Sequence, residues 1–149
     1  MTQQISDNMK ELDKPGRDKF IKLCEKYNYE YFEPANDKLA YDCGFKYNSN
    51  IYLVELKDRS PKYECYNELI LEKDKYERVI KWKERTGAKA AYYANWFGNK
   101  CYIFRLTEEI AKQPVIKKYM NAITAASRDV KVEKEVYMLD KKMAKVYEI

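Results

Sequence analysis

Residues 39–57, LAYDCGFKYNSNIYLVELK, decide the fold of this chain. Apolar and polar residues alternate over 39–46, and residues 51–57 are a mainly apolar run that contains Glu55 and Lys57, so two strands are predicted. Between them lies Tyr47-Asn48-Ser49-Asn50, a run of residues that tolerate the left-handed backbone of tight turns. The stretch therefore predicts a β-hairpin.

Further elements are predicted on both sides of the hairpin. A first helix over 15–29 begins with Pro15, whose fixed φ suits the first helical turn, and residues 1–14 are predicted to be flexible or loosely helical. A long helix over 66–85 ends just before Gly87. Strands over 89–96 and 100–106, a helix over 108–125 and a last strand over 135–139 follow.

This order of elements, α-β-β-α-β-β-α-β, predicts an α/β (α+β) fold in which helices flank a mixed central sheet. The chain has 149 residues, enough for one hydrophobic core. No Pro/Gly-rich linker interrupts it. We therefore predict a single domain over 1–149.

The composition excludes several kinds of chemistry. The chain has no His, so His-based catalytic triads, His-ligated zinc and His-ligated haem are excluded. Its four cysteines form no Cys-x-x-Cys pair, which argues against a zinc ribbon. No apolar run approaches the roughly 20 residues of a membrane span, and residues 1–10 lack the apolar core of a secretion signal. We expect a cytoplasmic protein with reduced thiols and no membrane partner.

The net charge of +5 is unevenly distributed. Residues 110–149 contain nine basic and five acidic side chains, a balance of +4. A basic region in a chain with 15 Tyr is compatible with a polyanionic partner, because lysine and arginine neutralise phosphate and aromatic rings stack on bases. A modest basic surplus also occurs simply as solubilising surface charge.

Two carboxylates in the hairpin carry the first chemical signal. Alternation places Leu53, Glu55 and Lys57 on one face of the second strand, and a charge that faces a core is costly unless it is paired or metal-bound. The alternative is that Tyr52, Val54 and Leu56 form the core while Glu55 and Lys57 face solvent.

Asp42, in the partner strand, favours the first of these arrangements. It lies about as far from the turn as Glu55 does, so the two are rough cross-strand neighbours. Carboxylates that close repel unless a cation lies between them or one is protonated. Their oxygens, together with the main-chain carbonyl of Leu56, suit Mg²⁺ or Mn²⁺.

These residues resemble the PD-(D/E)XK nuclease superfamily, most closely its small phage-type and Holliday junction resolvase-like members. Asp42, followed by Glu55-x-Lys57 at a hairpin strand end and then by a helix, matches the family motif, and the resemblance covers residues 37–106. Tyr41 stands where the name motif has proline. The resemblance implies a restriction-endonuclease-like core, metal binding by Asp42 and Glu55, and an attacking water positioned or activated by Lys57.

The resemblance also implies a polar contribution from the helix after the motif. Glu72 and Lys75, one turn apart, are candidates, and Lys73 is an alternative; an i,i+3 surface ion pair between Glu72 and Lys75 is the simpler interpretation. Glu25 in the first helix is a candidate acidic ligand or an ordinary solvated side chain.

The predicted function is a Mg²⁺- or Mn²⁺-dependent endonuclease that hydrolyses DNA phosphodiester bonds, structure-selective in phage-type recombination, repair or processing. Arg59 and Lys62 after the catalytic strand, and Lys131 and Lys134 in the basic tail, are the candidate DNA-backbone contacts. Duplex or branched DNA is the expected partner, and a homodimer is the expected assembly. The alternative is a catalytically inactive nuclease-fold module that binds DNA or protein, or a phage structural component.

Overall fold

The predicted hairpin lies in the main sheet of the protein. A computed structural model describes residues 2–36, 39–121 and 131–149. Strands β2 (Cys43–Tyr47) and β3 (Asn50–Arg59) pair antiparallel, with Cys43 opposite Val54 and Tyr47 opposite Asn50. Asn48 and Ser49 form the turn with φ angles of 49° and 65°, the left-handed conformation that the sequence predicts there.

The main sheet has six strands in the order β1-β2-β3-β5-β6-β9. Besides the hairpin it contains β1 (Glu30–Phe32), β5 (Ala90–Phe97), β6 (Lys100–Arg105) and β9 (Lys145–Glu148). β3 and β5 run parallel, and the other neighbours are antiparallel. The sheet is therefore mixed, and the predicted fold class, a mixed sheet flanked by helices, is confirmed.

Helix α1 (Thr2–Lys26) covers one face of this sheet. Its buried residues Phe20, Leu23 and Cys24 pack in one cluster with Val54 and Leu56. The predicted start of this helix at residue 15 is wrong, because the helix already begins at Thr2 and passes through Pro15. Residues 2–14 are polar but rich in Gln, Glu, Lys, Leu and Met, which are good helix formers.

Three further strands form a second sheet, the small sheet, in the order β4-β8-β7. The helix predicted over 66–85 is wrong in its first part, since β4 (Glu68–Glu72) is a strand and α2 (Lys73–Thr86) begins after it. Leu69 and Leu71 are both buried, a period-2 pattern, but a short apolar run fits a strand or a helix equally well. The helix ends as predicted, with Gly87 in the left-handed conformation at φ 73°.

The helix predicted over 108–125 is also wrong where the structure describes it. Helix α3 (Glu108–Ala111) is a single turn, and β7 (Ile116–Asn121) follows Pro114, which cannot continue a helix. Residues 122–125 of that prediction lie outside the described residues. β8 (Lys131–Asp140) contains the predicted last strand and pairs with both β4 and β7. No helix in the described ranges is long and apolar enough to cross a membrane.

The sequence predicted that one face of β3 is buried and the other faces solvent. The structure buries residues on both faces, so each of the two predicted arrangements describes only one of the buried faces. Val54 and Leu56 face α1. Leu53 belongs to the second core cluster, which includes buried residues of α2 and of the small sheet. Glu55 is a charged residue in this otherwise apolar environment, and it is 8% exposed.

Candidate active site

A cleft opens where the small sheet and α2 meet β3. Its volume is about 50 Å³, room for a few water molecules. Residues from β3, β4, α2, β5 and β7 line it: Glu55, Leu56, Lys57, Arg59, Ile70, Glu72, Lys75, Tyr93 and Met120. Three of the predicted catalytic residues besides Glu55, namely Lys57, Glu72 and Lys75, are therefore part of one cleft.

Asp42 lies just before β2 and extends the hairpin by one residue. Its main-chain N–H donates to the Val54 carbonyl at 3.0 Å. Its side chain then takes the place of a strand partner, because Oδ2 accepts a hydrogen bond from the Leu56 N–H at 2.7 Å. This bond holds the carboxylate next to the segment Glu55-Leu56-Lys57.

Lys75 on α2 lies between a carboxylate of the hairpin and a carboxylate of β4. Its Nζ lies 3.7 Å from Glu55 Oε1 and 3.6 Å from Glu72 Oε2. Burial alone would lower the pKa of Lys75, but the Glu55 and Glu72 carboxylates raise it above its ordinary value, and Asp42 contributes in the same direction. Lys75 therefore stays charged among these carboxylates.

Glu72 connects the cleft to the small sheet. It is the last residue of β4, and its side chain is 13% exposed. Oε1 accepts a hydrogen bond of 2.9 Å from Lys134 Nζ on β8. Burial would raise the pKa of Glu72, yet the bond from Lys134 and the nearby charge of Lys75 lower it overall. The expected i,i+3 ion pair of Glu72 with Lys75 is therefore present, but it is not a fully solvated surface pair, because Glu72 lies inside the cleft between two lysines.

Arg59 lines the cleft and donates hydrogen bonds to residues of two neighbouring strands. Its Nε donates to Asn95 Oδ1 at 2.9 Å, and its Nη2 donates to Ile70 O at 3.0 Å and to the Tyr93 hydroxyl at 2.9 Å. The Tyr93 hydroxyl in turn donates to Ile70 O at 2.8 Å. One guanidinium therefore joins β3, β4 and β5, so the predicted DNA contact is engaged within the protein.

The remaining predicted residues lie away from this cleft lining. Lys73 pairs with Glu77 at 3.7 Å along α2. Glu25 is exposed on α1, the helix that covers the opposite face of the main sheet. Lys62 is exposed on the 3-10 helix Pro61–Cys65, with its ammonium 4.9 Å from the centre of the Tyr63 ring. Lys131 is exposed at the start of β8.

The donor set of the cleft fits a hard divalent cation. Glu55 and Leu56 line the cleft, and Asp42, which is not part of the lining, accepts a hydrogen bond from the Leu56 N–H. These residues would offer two carboxylates and a main-chain carbonyl, oxygen ligands that suit Mg²⁺ and Mn²⁺. Within residues 14–36, 39–120 and 131–149 there is no group of three His, Cys, Asp or Glu side chains that could hold a metal ion. The predicted site has only two carboxylates, so it is smaller than such a group, and water would complete the coordination of an ion there.

Sequence reasoning missed the contribution of the small sheet. Ile70 and Met120 line the cleft from β4 and β7, two segments that were predicted to be helical. Leu69-Ile70-Leu71 is a short apolar run that fits a strand or a helix equally well, so the sequence held no decisive signal for β4. Nothing local to residues 116–121 indicates that Met120 reaches this cleft.

Comparisons with known proteins bear on the fold. No protein-family model matches the chain, and the search of curated proteins gives no match either. Among solved structures, the chain is similar to Hjc, a Holliday junction resolvase from the archaeal hyperthermophile Archaeoglobus fulgidus. The two share 16% identity with a TM-score of 0.53, over 85% of this chain and 88% of that one. This likeness shows a restriction-endonuclease-like fold.

Proposed function

We propose that the protein is a metal-dependent endonuclease of the PD-(D/E)XK superfamily that hydrolyses DNA phosphodiester bonds. One observation carries the proposal: Glu55 and Lys57 line a small polar cleft, and the Leu56 N–H between them holds the Asp42 carboxylate. The order of these three groups is that of the nuclease motif. The similarity of the fold to a Holliday junction resolvase supports the same assignment.

The proposed roles follow from the chemistry of each side chain. Asp42, Glu55 and the Leu56 carbonyl would hold Mg²⁺ or Mn²⁺, which supplies Lewis-acid activation of the phosphate and of a bound water. Lys57 orients the attacking water or stabilises the charge that develops on the phosphorane. Glu72 and Lys75 keep the cleft polar and close to charge balance.

The chain's own cations give an inactive binding module some support as a second candidate. Lys75 lies within 4 Å of Glu55 and Glu72, and Lys134 bonds to Glu72, so lysines already balance these acidic groups. A nuclease fold that has lost its chemistry could use such ion pairs simply for stability.

Cleavage assays with paired variants separate these candidates. Glu55→Ala should reduce both Mn²⁺ binding and DNA cleavage, because it removes a ligand. Lys57→Ala leaves the carboxylates intact, so it should retain Mn²⁺ and DNA binding while cleavage falls by at least ~100-fold. Lys81→Ala, an exposed change on α2, is the control and should behave like wild type.

Calorimetry of Mn²⁺ binding beside a cleavage time course gives the two readouts. If wild type does not cleave linear or branched DNA with Mg²⁺ or Mn²⁺, the binding-module assignment replaces the nuclease. If Lys57→Ala cleaves at the wild-type rate, the Glu-x-Lys match is coincidental.

The proposal extends to the setting in which the enzyme works. One cleft holds one phosphodiester, so cutting both strands of a duplex or branched DNA in one encounter calls for two copies, and we propose a homodimer. Sedimentation with and without a four-way junction measures the assembly.

We also propose that the protein works in the cytoplasm, in a phage-type DNA-processing role. All four cysteines are free thiols, which fits that compartment.

A further inference from the structure

A lysine that sequence reasoning did not single out faces the candidate active site from the small sheet. The register of β7 and β8 places Lys118 directly opposite Lys134 and Met120 opposite Val132. Directly opposed residues of an antiparallel pair project from the same face, with Cβ atoms about 5 Å apart. The side chains of Lys118, Met120 and Lys134 therefore share one face.

That face is the one turned toward the cleft. Met120 lines the cleft, and the ammonium of Lys134 reaches Glu72 at 2.9 Å. Lys118 lies directly opposite Lys134 and two residues before Met120 on β7, and it is partly exposed. It thus adds a positive charge at the rim of the cleft.

The lysine pair has an unfavourable charge arrangement within the protein. Like charges directly opposite each other on a sheet are destabilising. Glu72 compensates Lys134, whereas Lys118 has no acidic partner among residues 14–36, 39–120 and 131–149. The adjacent Lys117 differs, because it points to the other face and pairs with Glu133 at 3.8 Å.

We propose that Lys118 and Lys134 together bind a phosphate of the DNA backbone next to the one that is cut. An anion between the two ammonium groups would remove their repulsion, and Lys134 would share its bond between that phosphate and Glu72. The cleft and its rim would then hold consecutive phosphates of one strand. This inference rests on the proposed nuclease function, and it makes the small sheet a DNA-binding element.

The neighbouring lysines provide a matched experiment. Wild type, Lys118→Gln, Lys134→Gln, the double variant and Lys117→Gln are titrated with a fluorescein-labelled 30-bp duplex in EDTA, by anisotropy, over 50–300 mM salt. Each lost phosphate contact should reduce the slope of log affinity against log salt by about one and weaken binding near 0.1 M salt by roughly five- to tenfold. Lys118→Gln and Lys134→Gln should each show this loss, and the double variant about twice the change in slope. Lys117→Gln should match wild type.

One result overturns this inference alone, and a different result overturns it together with the proposed function. Suppose that wild type binds DNA and cleaves it with Mn²⁺, but that log affinity falls with log salt equally steeply for Lys118→Gln and for Lys117→Gln. The nuclease assignment then stands and the proposed phosphate site is wrong. If wild type binds no DNA, both proposals fall. Lys134→Gln also removes the bond to Glu72, and circular dichroism would report any loss of structure that results. In that case Lys118→Gln alone tests the inference.

Discussion

Asp42 combines a structural and a chemical task that substitutions can separate. Its Oδ2 accepts the Leu56 N–H at 2.7 Å and so supports the end of the hairpin. The same carboxylate is a proposed metal ligand. An asparagine keeps an oxygen acceptor at this position but lacks the negative charge that a divalent cation prefers.

Asp42→Ala should therefore lower the free energy of unfolding by about 1–3 kcal/mol, because it leaves the partly buried Leu56 N–H without its acceptor. Asp42→Asn should lose less than about 1 kcal/mol. Both variants should lose cleavage to a similar extent. Urea unfolding and a Mn²⁺-dependent cleavage assay measure the two effects, and wild-type cleavage by Asp42→Asn would exclude Asp42 as a ligand.

Arg59 shows how a predicted site residue can have partners within the protein that its position in the sequence does not reveal. Its place just after the motif suggested a DNA-backbone contact, and it does line the cleft. Its guanidinium, however, satisfies the buried Asn95 side chain, the Tyr93 hydroxyl and the Ile70 carbonyl. Those partners come from β4 and β5, so knowledge of strand neighbours was needed to recognise the role.

At the scale of elements, the sequence predicted the hairpin well because its signals are local. The alternation and the Asn48-Ser49 turn lie within one short segment, and they place Asp42 near Glu55 without reference to the rest of the chain. β4 and β7 were misassigned as helix because their pairing with β8 is long-range. Their short apolar runs carry no period long enough to separate the two structures.

Gly44 gives an element-scale prediction about the packing of the hairpin. A Cβ built on Gly44 would overlap the ring of Phe32 and lie 2.5 Å from the Tyr52 main-chain oxygen. The backbone oxygen cannot move without breaking the β2–β3 ladder. Gly44→Ala should therefore lower the free energy of unfolding by about 1–3 kcal/mol or more.

Gly16 provides the matched control for this prediction. Gly16 is in helix α1, and a Cβ there would meet Asp58 Cβ of β3 at 3.6 Å, an ordinary van der Waals contact. Gly16→Ala should leave stability unchanged or raise it by about 0.5–1 kcal/mol, because alanine loses less backbone entropy in a helix. Equal urea midpoints for Gly44→Ala and wild type would mean that β1 does not pack against β2 as described.

At the scale of the whole molecule, the candidate site is assembled from both sheets and one helix. Glu72 and Lys134 are in contact although 62 positions separate them in the sequence. Local pattern could propose Glu72 as a candidate but could not identify its partner. The motif residues were accessible to sequence reasoning because the hairpin brings them together, whereas the surrounding charges depend on how the small sheet packs on the main one.

The titratable groups of the molecule predict a stability plateau around neutral pH. The chain has no His, the residue whose ordinary pKa lies in this range. Glu72 has a lowered pKa in the folded state, so its contribution to stability is present above its ordinary value of 4.5 and is lost as pH falls through the lowered value. Burial raises the pKa of Cys24 from 9.0 to about 12 and also raises those of Cys43 and Cys101. Stability that depends on these neutral thiols is therefore full below 9.0 and is lost as pH rises toward their folded values.

The urea midpoint should accordingly stay constant from about pH 6 to 8 and fall on both sides, below about pH 4.5 and above about pH 9. Glu72→Gln should weaken the acid decline, because the group with the lowered pKa is gone, and should leave the alkaline decline unchanged. Cys101→Ala should do the reverse. These midpoints are measured by circular dichroism at constant ionic strength, so that screening of surface charge does not vary with pH. A transition near pH 6.5 in the wild type would contradict this account, since it would require a further group whose pKa in the folded protein is shifted into that range.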